Sequence, residues 1–156
     1  MTQEDKELLL KDICARLPYG VKGGCEIDAS YDTSFDTIFQ THKFNAEVYG
    51  IKEDILLVTP LIEYSDEQTF AEEEVSDGVS ILDFTPYLFP MSSMNDEQKS
   101  RYHLCLTRIL FARNDSLLIL LIDWLNAHHF DYRGLIEKGL AIDATGLNIY
   151  IKEEKI

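Results

Sequence analysis

The spacing of apolar residues changes twice along this 156-residue chain, and those changes restrict its fold. An apolar stripe with helical spacing covers residues 9–17 and ends at Pro18 and Gly20. Apolar and polar residues then alternate over residues 44–49, which is typical of a half-buried strand. Helical spacing returns after Asn95. The sequence therefore predicts an α+β fold with an N-terminal helix, a small antiparallel sheet or SH3-like barrel, and a C-terminal helical part.

Capping residues mark where the predicted helices begin. Thr2 is a suitable N-cap for the first helix, and Asn95 with Gln98 has the pattern of a capping box for the second. Residues 113–116 interrupt the helical spacing, so a third helix is predicted over residues 116–129.

The middle of the chain is predicted to form short strands joined by turns. Residues 52–54 suit a polar turn, and Pro86 and Pro90 are expected to bracket a linker. Two apolar runs are strand candidates, residues 55–58 and 79–84. We expect residues 1–90 and 91–156 to form either two lobes or one shared core.

Acidic residues outnumber basic ones by 28 to 14, which gives a formal net charge of −14. The excess lies in residues 18–94, which hold fifteen acids and three bases. Nucleic-acid phosphates are bound by clustered Lys and Arg, so no direct nucleic-acid binding is expected. An anionic membrane surface would repel such a chain. The acidic segment, including residues 72–74, is predicted to be a solvated surface or a face that imitates the phosphates of DNA.

The three cysteines, Cys14, Cys25 and Cys105, form no CxxC pair and no zinc spacing. Cys14 and Cys105 are expected on apolar helical faces, and Cys25, which follows two glycines, in a more exposed position. No leader with basic and apolar regions is visible, and the longest aliphatic run, residues 117–122, falls far short of the roughly 20 residues of a membrane span. These features predict a cytoplasmic protein that binds no membrane.

The densest group of chemically capable side chains lies in residues 123–134. Aromatic and Arg side chains are frequent anchors of protein interfaces. The candidate partner-binding residues are Trp124, His128, His129, Asp131, Tyr132 and Arg133.

The same segment permits two other interpretations. His128 and Asp131 are three residues apart and could meet one metal ion, with His42 or His103 as a further ligand. Alternatively, both histidines lie at a helix C-terminus, and Asp131 caps a short helix over residues 132–138.

No motif with a catalytic mechanism is present. G-x-S-x-G is absent, and residues 20–24 have neither Walker nor G-x-G-x-x-G spacing. Asp28, Asp32 and Asp36 are spaced by four, unlike the ligands of a calcium loop. The sequence therefore predicts no cofactor, no metal and no catalytic residue, and it favours a non-enzymatic protein.

Three segments of the chain are distinctive: residues 1–21 (MTQEDKELLLKDICARLPYGV), 85–94 (TPYLFPMSSM) and 122–141 (IDWLNAHHFDYRGLIEKGLA). Together they resemble a group of small uncharacterised proteins encoded in prophages and mobile elements of anaerobic gut bacteria. The resemblance implies a genomic setting and a variable middle segment, but no activity, cofactor or site residues. The apolar stretch 104–122 departs from the pattern of the group.

Three functions are compatible with these features. The first is a non-enzymatic, phage-derived accessory protein that binds another protein. The second is an acidic DNA mimic that inhibits a nucleic-acid enzyme of the host. The third is a small metal-dependent enzyme that uses His128 and Asp131. The sequence favours the first, with a protein as the partner, and leaves the oligomeric state open.

Overall fold

The chain folds into helices and an antiparallel sheet, which confirms the predicted α+β class. The computed structural model describes residues 1–32, 34–61, 77–113 and 115–150. Two compact units are formed, Met1–Tyr87 and Leu88–Ile156. The division predicted from the sequence follows residue 90, whereas these units divide after Tyr87.

The first helix, α1, spans Gln3–Arg16 and begins at the predicted N-cap. The Thr2 hydroxyl oxygen accepts a hydrogen bond from the Asp5 N–H (3.1 Å), and the Asp5 carboxylate accepts one from the Thr2 N–H (3.0 Å). These two bonds form a capping box. A 3-10 turn over Leu17–Tyr19 and then Gly20, with φ of 76°, end the helix.

The buried face of α1 differs from the fully apolar stripe that the sequence predicts. Leu9 and Ile13 are completely buried, and so are the charged residues Asp12 and Arg16. Arg16 donates from Nε to Asp12 Oδ2 (2.7 Å) and from Nη2 to Asp12 Oδ1 (3.0 Å). Because each charge is neutralised by its partner, both side chains can enter the core.

The cysteine environments of the first unit are the reverse of those predicted. Cys14 is exposed on α1, because the buried face is centred on Asp12 and Ile13 instead. Cys25 is buried in the sheet, and Cys105 is half-buried. Burial, and next the negative charge of Asp83, raise the pKa of the Cys25 thiol to about 12.

The sheet of the first unit is antiparallel, with strand order β4–β3–β2–β1–β5. Its strands are β1 (Val21–Asp32), β2 (Thr37–Lys52), β3 (Ile55–Pro60), β4 (Val79–Ser80) and β5 (Phe84–Leu88). A turn at Glu53 and Asp54 joins β2 to β3, as the sequence predicts. The order of these described strands is linear, so the small antiparallel sheet is the sheet form observed, rather than the SH3-like barrel.

The region around Pro86 differs from its prediction. The strand expected over residues 79–84 is interrupted by a 3-10 turn at Ile81–Asp83, and Pro86 lies inside β5 rather than at the start of a linker. Pro86 is opposite Gly23 of β1. A side chain at Gly23 would clash with the Phe84 ring, so the glycine permits β5 to approach β1.

One face of α1 packs against the inner face of the sheet to form the core of the first unit. The alternation predicted for residues 44–49 is observed, since Ala46 and Val48 point inward. A salt bridge between Lys6 Nζ and Asp54 Oδ2 (2.7 Å) also ties the helix to the β2–β3 turn. The buried core residues are Leu9, Ile13, Val21, Cys25, Ala46, Val48, Leu56, Val58, Val79, Ile81 and Phe84.

The described part of the second unit contains two α-helices, α2 (Asp96–Ala112) and α3 (Asp115–Ala127). The predicted capping box starts α2: the Gln98 N–H donates to Asn95 Oδ1 (2.8 Å), and the Asn95 N–H donates to Gln98 Oε1 (2.9 Å). Arg113, with φ of 45°, ends α2 close to the predicted break. Among the described residues, no helix is long and apolar enough to span a membrane.

The core of the second unit lies between the C-terminal half of α3 and the segments that precede α2 and follow α3. A short strand, β6 (Ile142–Asp143), precedes Ala144, whose N–H donates to the Leu88 carbonyl oxygen (2.8 Å). The buried core residues are Met94, Leu121, Leu125 and Phe130. This core holds the end of α3 in place, and the candidate cluster of residues 123–134 begins there.

Candidate binding site in the C-terminal unit

A left-handed residue, His129, ends α3 and turns the chain. Its φ is 56°, an angle that glycine adopts more easily than histidine. The Phe130 N–H donates to the Leu125 carbonyl (3.0 Å), and the His129 N–H donates to the Asn126 carbonyl (3.0 Å). These bonds, with Phe130 packed in the same core as Leu125, form a Schellman motif. His129 is buried, and its ring stacks on Tyr150 at 3.7 Å between centroids.

Asp131 fixes the loop that follows. Its two carboxylate oxygens accept hydrogen bonds from the N–H groups of Leu135 and Ile136, both at 2.8 Å. Its own N–H donates to the Phe89 carbonyl (2.8 Å), and the side chain is almost fully buried. The predicted capping role of Asp131 is therefore observed, although residues 132–138 form turns rather than a helix. Because both oxygens hold backbone donors, this carboxylate is poorly suited to bind a metal ion.

Tyr132 forms the wall of a cleft beside this loop. Its hydroxyl donates to Asn126 Oδ1 (3.0 Å), and the guanidinium carbon of Arg133 lies 4.9 Å from the centre of its ring. The cleft, here called the Tyr132 cleft, has a volume of about 450 Å³. Its lining residues are Pro90, Met91, Ser92, Tyr102, Asp131, Tyr132, Gly134, Ile136 and Glu137.

A second group of rings surrounds Trp124. The Trp124 ring lies 4.7 Å from the His128 ring and 5.7 Å from the Phe130 ring, and the Arg101 guanidinium carbon is 5.4 Å from the Trp124 ring centre. His128 Nδ1 is 2.9 Å from the Trp124 carbonyl oxygen, to which it can donate as the Nδ1–H tautomer. A smaller cleft of about 260 Å³, the His128 cleft, is lined by Phe89, Ser93, Gln98, His128 and Phe130.

The six predicted partner-binding residues fall into two groups. Trp124, Tyr132 and Arg133 are half-buried and His128 is exposed, so a partner can reach these four. His129 and Asp131 are buried and hold the turn and the loop.

Several lining residues of the clefts were absent from the predicted set. Met91 and Tyr102 come from a 3-10 turn and from α2, outside the segment 123–134. Only the helical spacing that turns Tyr102 towards α3 could have indicated its position from the sequence.

The metal-dependent alternative gains no support from this geometry. Within residues 1–32, 34–61, 77–113 and 115–150, no three His, Cys, Asp or Glu side chains are close enough together to hold a metal ion. Asp131 is engaged by backbone donors, whereas His128 faces solvent. The residues around both clefts offer apolar contact and hydrogen bonding.

Acidic and basic side chains are interleaved on the outer face of β1 and β2. Lys43 Nζ is 3.0 Å from Glu26 Oε2, and Lys22 lies opposite Glu47 in the strand register. A DNA mimic requires a surface of one sign, so this face does not favour the mimic hypothesis. The acidic run at residues 72–74 lies outside the described residues.

No protein-family model, curated protein or solved structure matches this chain.

Proposed function

We propose that this protein is a non-enzymatic binding module that recognises an extended segment of another protein at the Tyr132 cleft. The observation that carries the proposal is the construction of the cleft: an accessible wall formed by Tyr132, mounted on a buried support. Asp131 and Asn126 fix the wall through hydrogen bonds to backbone and hydroxyl groups. A preorganised site loses little conformational entropy on binding.

The residues that line the cleft indicate which side chains the bound segment of the partner should have. Pro90, Met91 and Tyr102 offer apolar surface, while Ser92 and Glu137 offer polar groups at the cleft. An apolar or aromatic side chain of the partner therefore suits the floor, and its backbone suits the polar groups. Tyrosine, which forms the wall here, is among the residues that most often dominate binding energy at interfaces.

The proposal also includes the cellular location and the genomic origin of the protein. Cys14, Cys25 and Cys105 are free, as expected of a protein in the reducing cytoplasm. The resemblance to prophage proteins suggests an accessory role in which the partner is a host or phage protein.

Selection from a displayed library of random peptides tests the proposal and does not require the partner to be identified first. We expect the wild-type protein to enrich peptides that share an apolar or aromatic position. Tyr132→Ala should weaken their binding at least about tenfold, the range expected for an interface anchor. Tyr49→Ala is the matched control, because Tyr49 is an exposed tyrosine in the first unit.

A second variant separates loss of the site from loss of the fold. Ser92 is exposed at the cleft, so Ser92→Phe should occupy the cleft without removing a buried contact. It should abolish peptide binding while the circular dichroism spectrum and melting temperature stay at their wild-type values. Peptides that bind Ser92→Phe and Tyr132→Ala as tightly as wild type, or a selection without enrichment, would refute the proposed site.

A further inference from the structure

The outer surface of the α2–α3 pair is apolar and exposed. None of the 17 residues of α2 is buried, and α3 buries only Leu121, Leu125 and Asn126. Six apolar side chains on the two helices are between 44 and 86% exposed. This set, here called the hairpin patch, consists of Leu104, Leu110, Phe111, Leu118, Ile119 and Leu120.

The sequence of α3 explains why its partner helix cannot cover this surface. Residues 117–122 are six consecutive apolar residues, which place apolar side chains on every side of the helix. A neighbouring helix covers only one side. A helix that is apolar all round is normally buried, so the exposed sides of α3 require a further partner.

We propose that a second copy of this chain covers the hairpin patch, so that two α2–α3 pairs pack into a four-helix arrangement. The area is adequate for this. The six exposed fractions amount to about four whole side chains, or on the order of 700 Å² of apolar surface. This exceeds the few hundred Å² that monomers usually expose. Two such patches offer at most roughly 1,400 Å², within the range of stable interfaces.

The charges on the two helices favour a second copy over an unrelated occupant. Beyond its first turn, α2 carries only basic charged residues, Lys99, Arg101 and Arg108, whereas α3 carries only the acids Asp115 and Asp123. In a two-fold dimer, α2 of one copy can lie along α3 of the other, so that basic side chains meet acidic ones.

The net charge of the second unit also permits self-association. Residues 88–156 hold nine acids and eight bases, a net charge of −1, while residues 1–87 carry nineteen acids and six bases, a net charge of −13. Contact through the helices therefore joins nearly neutral surfaces and adds little repulsion. The dimer uses different residues from the Tyr132 cleft, so either proposal can fail without the other.

Analytical ultracentrifugation over a range of protein concentrations tests the dimer. We expect a species of about 36 kDa, twice the 17.9 kDa chain mass. Phe111→Glu and Ile119→Glu should each convert it to a monomer, since each places a charge in the patch. Both side chains are largely exposed, so the variants should keep the wild-type circular dichroism spectrum. Leu82→Glu, at an exposed leucine of the first unit, should remain dimeric.

A charge-reversal series tests the arrangement of the helices. Arg108→Asp should weaken the dimer, and adding Asp115→Arg or Asp123→Arg, whichever acid faces Arg108, should restore it. A wild-type chain that stays at 17.9 kDa would overturn the proposal, as would a dimer that persists in Phe111→Glu and Ile119→Glu. Sedimentation of a monomeric wild-type chain with phosphatidylcholine vesicles would also overturn it and would identify the hairpin patch as a lipid-binding surface.

Discussion

Asp12 and Arg16 form a bidentate ion pair on the buried face of α1, and both side chains are completely excluded from solvent. They are four residues apart on one helix, so the helix itself sets their geometry. Bringing two charges out of water is costly, and their attraction with two short hydrogen bonds offsets that cost. The pair thus occupies a core position where an apolar residue is the usual choice.

Removing one partner of this pair should destabilise the protein strongly. Asp12→Ala leaves a buried guanidinium without its carboxylate, and the expected loss is about 3–5 kcal/mol of unfolding free energy. Urea titration followed by circular dichroism measures it. Glu26→Gln is the control, because it breaks the exposed pair with Lys43 and should cost less than about 1 kcal/mol. A similar loss of unfolding free energy in both variants would contradict this prediction. It would show that the buried ion pair contributes no more to stability than the exposed one.

Comparison of the predicted and observed α1 shows why sequence patterns identified the helix but not its buried face. The cap at Thr2 and the stop after Arg16 depend on local bonds, and local bonds can be read from neighbouring residues. Which face is buried depends on how α1 is rotated about its own axis relative to the sheet. Since periodicity follows apolar residues alone, the predicted stripe left out Asp12, which is buried, and included Cys14, which is exposed.

The reversed cysteine environments predict a selective reaction with thiol reagents. Cys14 is exposed, whereas burial raises the pKa of Cys25 to about 12, so very little Cys25 thiolate exists near neutral pH. Iodoacetamide at neutral pH should modify Cys14 fastest and leave Cys25 unmodified in the folded protein, as peptide mass spectrometry would show. Cys14→Ser should remove the fast reaction. Rapid modification of Cys25 before unfolding would contradict the buried environment.

Two carboxylates of the first unit should affect stability with opposite signs. The hydrogen bond and charge of Lys6 lower the pKa of Asp54, so this pair stabilises the fold above the unfolded pKa of the carboxyl and is lost as pH falls through the folded pKa. Partial desolvation, and then the charge of Asp28, raise the pKa of Asp83. Its carboxylate therefore opposes folding at neutral pH, and this effect disappears below its unfolded pKa.

Unfolding free energies measured from neutral to acidic pH separate the two effects. Asp54→Asn should lower stability at neutral pH and match wild type once the wild-type carboxyl is protonated. Asp83→Asn should raise stability at neutral pH by a small amount, because the side chain is largely exposed. Changes of the same sign in the two variants at neutral pH would contradict these pKa shifts.

The candidate site could be predicted only in part, because its residues have separate structural roles. The density of aromatic, His and Arg residues in 123–134 drew attention to the correct segment. It could not distinguish His129, which enters the core through a left-handed turn, from His128, which faces solvent. Met91 and Tyr102 line the cleft from outside this segment, and of the two only Tyr102 has a local indication, the helical spacing that turns it towards α3.

Asp131 holds the loop that lines the Tyr132 cleft, so removing its carboxylate should destabilise the second unit. Asp131→Ala leaves the N–H groups of Leu135 and Ile136 without their acceptor, and Leu135 is fully buried. The expected cost is about 2–3 kcal/mol. Trp124, the single tryptophan, lies in the second unit, so its fluorescence during urea titration reports this loss. Asp143→Ala, which removes the exposed bond to the Thr145 N–H, is the matched control and should have a smaller effect. Equal effects would mean that solvent replaces both bonds equally well, so that Asp131 is not the support of the loop.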